Sequence, residues 1–198
     1  RSPQEGDDEN ALDLLRQAPE MLRNQPRYAL YVGVRMAAAG AQVAAPFYIV
    51  YATERLGAPA SMAGIYIAMR TTARLVSSLF WGRRCQNRGS ARTVRTAMVI
   101  MACTPLLVLL FGVAERLFWT EGIPHAAFWL FGLVFLGSGL GGSGMIIGRM
   151  SYLYEIAPEG RLPIYLGLSN TLVGPLHFLP MVSGAVIDAA GFVPVLLA

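Results

Sequence analysis

The chain contains no lysine: all 16 of its basic residues are arginine. An absence that complete points to the codon bias of a GC-rich bacterial genome more than to a chemical demand. Charge of either sign is scarce. Only 14% of residues are charged, against about 25% in soluble domains, and this shortfall excludes an ordinary water-soluble domain. Cysteine is limited to Cys85 and Cys103. One falls in an arginine-rich break and the other inside an apolar run, so no disulfide framework is implied. With His125 and His177 as the sole histidines and no CxxC or HExxH pattern, no metal site or cofactor is expected. The glycine string 137–144 is embedded in an apolar run and lacks a following Lys-Ser/Thr pair. It is therefore not a P-loop, and a pump with its own nucleotide site is unsupported. No secretory-signal pattern precedes the first apolar run.

What remains is apolar. Hydrophobic residues make up 55% of the chain and mean hydropathy is +0.48, the composition of a polytopic membrane protein. Five long apolar stretches occur at about 28–53, 60–82, 93–114, 126–152 and 163–188, and a truncated sixth begins at 192. A helix needs about 20 such residues to cross a bilayer. Short connections make neighbours antiparallel. The expected fold is an all-α helical bundle of five full transmembrane helices plus the start of a sixth. The lipid bilayer is its expected surrounding.

Residues 1–27 read as a polar lead-in. Glu5, Asp7, Asp8 and Glu9 are expected to be disordered. Leu14, Leu15, Ala18, Met21 and Leu22 recur at helical spacing, which predicts a short amphipathic helix on the membrane surface, broken at Pro26. Arginines cluster on alternate breaks. Arg83, Arg84, Arg88, Arg92 and Arg95 follow the second stretch, Arg16, Arg23 and Arg27 precede the first, and Arg149 and Arg161 flank the break after the fourth. The other breaks hold only Arg55 and Arg116. The positive-inside rule then places the N-terminus and the arginine-rich breaks in the cytoplasm of a bacterial inner membrane. The net charge of +4 follows from this placement and is no nucleic-acid footprint.

The break from Gly82 to Arg92 carries Gly82 and Gly89 seven positions apart, with Arg83, Arg88 and Arg92 as basic side chains and Gln86 between them. It resembles the signature joining the second and third helices of each half of major facilitator superfamily transporters; Gln86 stands where that family usually has aspartate. The run Tyr154 to Arg161 resembles the family's turn between the fourth and fifth helices of a half. Asn170 to Pro175 resembles the glycine-proline break of the next helix. These landmarks, in order, cover residues 28–188. The resemblance implies the C-terminal half of a secondary transporter, with residues 1–27 like the linker between halves. The missing N-terminal half would be its partner within one polypeptide. Arg1 at one end and the short apolar run at the other make both ends look cut. The glycines suit a tight break, and the arginines either set topology alone or also take part in conformational change.

Charged residues inside the apolar stretches are the candidate site. Arg70 and Arg74 share one face of the second stretch, which holds no acid to offset them. They either bind an anionic part of a small solute in a wet cavity, or Arg74 snorkels and Arg70 pairs with an acid in the missing half. Arg35, Gln42 and the kink expected at Pro46 fall near one face of the first stretch. Gln42 suits a polar ligand or an interhelical hydrogen bond, and Arg35 either lines the cavity or snorkels. Gly137 with Gly141, and Gly144 with Gly148, have the spacing of close helix packing. Transport by alternating access, with no enzyme activity, is the resulting expectation. Two alternatives stay open. One is a non-transporting membrane sensor or partner protein on the same helices. The other is a rhomboid-like serine protease using the Gly-x-Ser-Gly at Ser143 with His177 as base.

Overall fold

The computed structural model describes residues 19–41, 45–118 and 124–179. Among them the fold is all helix, with no strand. Residues 19–24 form a short helical segment. There follow α1 (Pro26–Ala41), α2 (Phe47–Val50, continued by a π-helical turn at Tyr51–Arg55), α3 (Ala60–Arg88), α4 (Ser90–Phe118), α5 (His125–Ile156) and α6 (Leu162–Val173). A 3-10 segment, Gly174–Phe178, closes the described chain. The expected helical bundle is present.

The glycine-rich helix α5 is its axis. Buried residues surround α5 on most of its circumference, from Ala127 through Gly139 and Ser143 to Leu153, the pattern of a helix enclosed by others. The helices α3 and α4 flank it. On α3 the inward stripe is Met62, Tyr66, Ser77 and Trp81; on α4 it is Thr93, Val94, Ala97, Thr104 and Val108. Glycine lets backbones approach where any Cβ would collide. A Cβ on Gly139 would lie 2.3 Å from the Arg70 carbonyl oxygen of α3, and one on Gly144 would lie 2.5 Å from the Trp81 ring. On the other side, a Cβ on Gly141 or Gly148 would press on Met101 or Val94 of α4 at 2.7 and 2.9 Å. The packing role of the glycines holds, but the pair 144 and 148 divides between the two flanking helices. Trp81 is locked from both directions: it is fully buried and its Nε1 donates to the Leu140 carbonyl at 2.9 Å.

Among the described residues two helices, α4 and α5, are long and apolar enough to cross a membrane. At 29 and 32 residues they span roughly 43 and 48 Å at 1.5 Å per residue. The other expected spans differ from the structure. The first is divided: α1 ends at Ala41 and a new helix begins at Phe47 after a turn at residues 45–46. Proline removes a backbone donor and disfavours helix just before it, which places the interruption at Pro46. Pro26, read as a helix breaker, opens α1 instead, the first helical position where its missing N–H costs nothing. Met21 and Leu22, expected on the membrane surface, pack on the core formed by α1, α5 and α6. The acidic opening, Gln42 and residues 180–198 lie outside the described residues.

The arginine-rich break is also shorter than its composition implies. Helix α3 continues through Gly82, Arg83, Gln86 and Arg88, and Gly89 alone makes the turn into α4. Arginine and glutamine favour helix, and a single helical glycine costs only about 1 kcal/mol, so nothing stops α3 at residue 82. Gly89 has φ 83° and ψ 158°, a backbone region essentially reserved for glycine. Its amide donates to the Cys85 carbonyl at 2.9 Å, and its own carbonyl accepts from Thr93 Oγ1 at 3.0 Å.

Candidate functional site

The antiparallel order gathers one end of the bundle from three connections: the entry to α1, the turn at Gly89 and the turn at 157–161. The end is tied together by a tyrosine layer. Tyr28 Oη donates to the Tyr165 carbonyl at 2.8 Å, Tyr165 Oη donates to Gln25 Oε1 at 2.6 Å, and the Tyr31 and Tyr152 rings stack at 6.5 Å. Ser90 Oγ donates to Glu155 Oε2 at 2.6 Å. This fixes the last turn of α5 to the first turn of α4, and the carboxylate sits where the α4 dipole favours negative charge. Arg84 Nη2 reaches Thr96 Oγ1 at 2.8 Å. The side chains of Arg83, Gln86, Arg88 and Arg92 are exposed at this same end, while Arg55 and Arg116 sit at the other.

Of the candidate pair Arg70 and Arg74 on α3, the structure brings one to a cavity. Arg70 lines a space of ≈ 40 Å³ together with Tyr48 of α2, Met101 and Thr104 of α4, and Ser138 and Gly142 of α5. Its charge reaches the Tyr48 hydroxyl. The other polar groups present acceptors. Thr104 Oγ1 donates to the Ile100 carbonyl at 3.3 Å and Ser138 Oγ to the Phe135 carbonyl at 2.9 Å, which leaves their lone pairs for the cavity. Pro105 has no N–H to offer the Met101 carbonyl. A single water needs about 10–15 Å³, so the space accommodates water beside the guanidinium. A metabolite needs several hundred Å³. Arg70 and Arg74 are both exposed, and Arg74 does not line this cavity. A second, open groove of ≈ 470 Å³ between α3 and α5 is walled by Val76, Phe80, Leu133 and Leu140 and has no charged residue in its lining.

Arg35 lies elsewhere, against α6. It is 7% exposed, and Nη1 donates to Ser169 Oγ at 2.6 Å and to Asn170 Oδ1 at 3.0 Å. Its guanidinium carbon is 6.0 Å from the Tyr31 ring centroid. These partners are 134 and 135 residues away in sequence, which is why periodicity along α1 gave no sign of them. Arg149, read as lying near the cytoplasmic end of the fourth stretch beside a break, is within electrostatic reach of Arg35. The tyrosine layer was not singled out either, although Tyr28 and Tyr31 have the spacing of one helix face.

Ser143 is buried on α5, whereas the His177 ring engages the Val173 carbonyl one turn back at 3.2 Å. No hydrogen bond joins Ser143 and His177. Among the described residues no three His, Cys, Asp or Glu side chains cluster as metal ligands. Compared with known proteins, the chain matches no family model, no curated protein and no solved structure.

Proposed function

We propose that this chain is one helical half of a membrane-embedded secondary transporter, moving a small solute with an anionic part by alternating access. The observation that carries the reading is Arg70, an exposed charge in the first half of α3 that borders a small polar cavity where α2, α3, α4 and α5 meet. Maintaining a charge at mid-membrane depth costs at least about 2.5–3.5 kcal/mol on insertion scales, so such residues serve solute paths or relays. A cavity of water size in this half suits a site completed by a second half.

Lipid as the surrounding solvent is supported by the outward faces. On α4 the exposed stripe Val99, Cys103, Leu106, Leu110, Val113 and Leu117 follows helical spacing and is apolar throughout. On α3, Leu75, Val76, Leu79 and Phe80 are exposed likewise. In water such faces would be an aggregation liability. The arginines gathered at one end agree with a cytoplasmic placement of that end. The five-span topology, the inner-membrane location and the likeness to the major facilitator family belong to this proposal.

The test is flux. The full-length protein in proteoliposomes should take up at least one member of a panel of labelled carboxylates, phosphate and sulfate. Arg70→Ala should reduce that uptake about 10- to 100-fold, the worth of one charge-assisted hydrogen bond. Unchanged uptake in Arg70→Ala would remove the assigned role, and a protein that moves no solute would favour a sensor on the same helices.

A further inference from the structure

Arg35 and Arg149 form a second charged constellation, apart from the Arg70 cavity. Three observations bear on it. The first is an unmet donor. A guanidinium carries five N–H groups. Arg35 directs Nη1 at the neutral Ser169 and Asn170 side chains, while its Nε is buried with no hydrogen-bond partner.

The second is a neighbouring like charge. The Tyr31 and Tyr152 rings stack at 6.5 Å with 22° between planes, which sets α1 against α5 at that level. Arg35 follows Tyr31 by four residues and Arg149 precedes Tyr152 by three. In antiparallel helices both arginines therefore lie on the inner side of the tyrosine pair. Arg149 is within electrostatic reach of both Arg35 and Tyr31.

The third is the lack of a counter-charge. Neither arginine has an ion-pair partner among the described residues. Glu155, nearly two turns beyond Arg149, is exposed and holds Ser90 instead. Arg35 is buried and Arg149 half-buried, and two such neighbouring cations repel unless an anion lies between them. Asn170 accepts from Arg35 through its oxygen, so its amide nitrogen is left as a further donor at the same place.

We propose that Arg35, Arg149 and Asn170 form a binding site for an oxyanion (a carboxylate, phosphate or sulfate group) between α1, α5 and α6. Planar guanidinium groups are suited to such ligands. The anion would join α1 and α6 to α5 beneath the tyrosine layer. The inference is independent of transport and stands for a sensor on the same helices equally well.

The experiment uses the purified full-length protein in neutral detergent, with its unfolding midpoint followed as phosphate or sulfate replaces chloride at constant ionic strength. A ligand that binds only the folded state raises the midpoint with its concentration. A saturable rise on phosphate or sulfate identifies a free oxyanion. A rise confined to nanodiscs containing phosphatidylglycerol, compared with phosphatidylcholine alone, identifies a lipid headgroup phosphate as the source. Either result supports the site, provided that Arg149→Gln weakens the effect about tenfold or more and Arg149→Lys restores part of it. Arg149 is the chosen position because Arg35→Gln also removes hydrogen bonds that hold α6. No rise with any of these anions would overturn the proposal, as would a rise undiminished in Arg149→Gln.

Discussion

Replacing Gly139 by alanine should destabilise the bundle, while the same change at Gly142, three residues along α5, should not. The added methyl at 139 would lie 2.3 Å from the Arg70 carbonyl oxygen and 3.1 Å from Ala73 Cβ. Relaxed carbon–oxygen contacts fall near 3.3 Å, so α3 and α5 must separate by about 1 Å at this level. The obstacle is backbone, which no rotamer change can remove. A gap of 0.5–1 Å forfeits roughly a quarter to a half of each dispersion contact across the interface. Overpacking of this kind costs about 1–3 kcal/mol, and the rigid neighbour puts Gly139 in the upper part of that range. Alanine's helix propensity returns about 1 kcal/mol, leaving a net loss of roughly 1–2 kcal/mol. At Gly142 nothing lies within 4 Å of the new methyl, so only the propensity gain of up to about 1 kcal/mol operates. Thermal unfolding in detergent, followed by circular dichroism, should place the Gly139→Ala midpoint below wild type and Gly142→Ala at or above it. The two variants unfolding together, or in the reverse order, would refute the close approach of α3 and α5.

Further outcomes follow from the same geometry. Gly89→Ala forces a side chain into φ 83° and should cost about 1–3 kcal/mol by chemical unfolding; Gly82→Ala, inside α3 with open space around it, should be neutral or stabilising. Glu155→Ala removes the acceptor of the buried Ser90 hydroxyl and should lower stability by about 1 kcal/mol. Ser90→Ala combined with it should add little further, since both act on one bond, and a double-mutant cycle measures that coupling.

Much of the helical architecture was legible because lipid-facing and packed helices both advertise themselves as apolar runs. The packing glycines on α5 were legible for the same reason: their spacing repeats on a helix face. Boundaries set by competing local preferences were harder to read. Gly82 resembles a break because glycine and arginine also populate loops, yet its neighbours favour helix, and only Gly89 adopts a backbone that requires glycine. Pro26 and Pro46 are the same residue type with opposite roles, one opening α1 and one following its end, and tertiary position decides between them. The grouping of Arg35 with Ser169 and Asn170 joins distant helices, so no pattern along one helix could indicate it. Arg70 and Arg74 share a face by spacing, but only the meeting of α2, α4 and α5 distinguishes the one that lines a cavity.

The central claim is that lipid surrounds the outward apolar faces, and the two native thiols test it. Cys85 is half-buried in the last turn of α3, whereas Cys103 lies exposed on the apolar stripe of α4. In inverted membrane vesicles, a charged, membrane-impermeant maleimide should label Cys85 and leave Cys103 unmodified, because acyl chains exclude the reagent from an otherwise open position. Labelling of Cys103 as fast as Cys85 would show that water reaches the middle of α4 and would contradict the account.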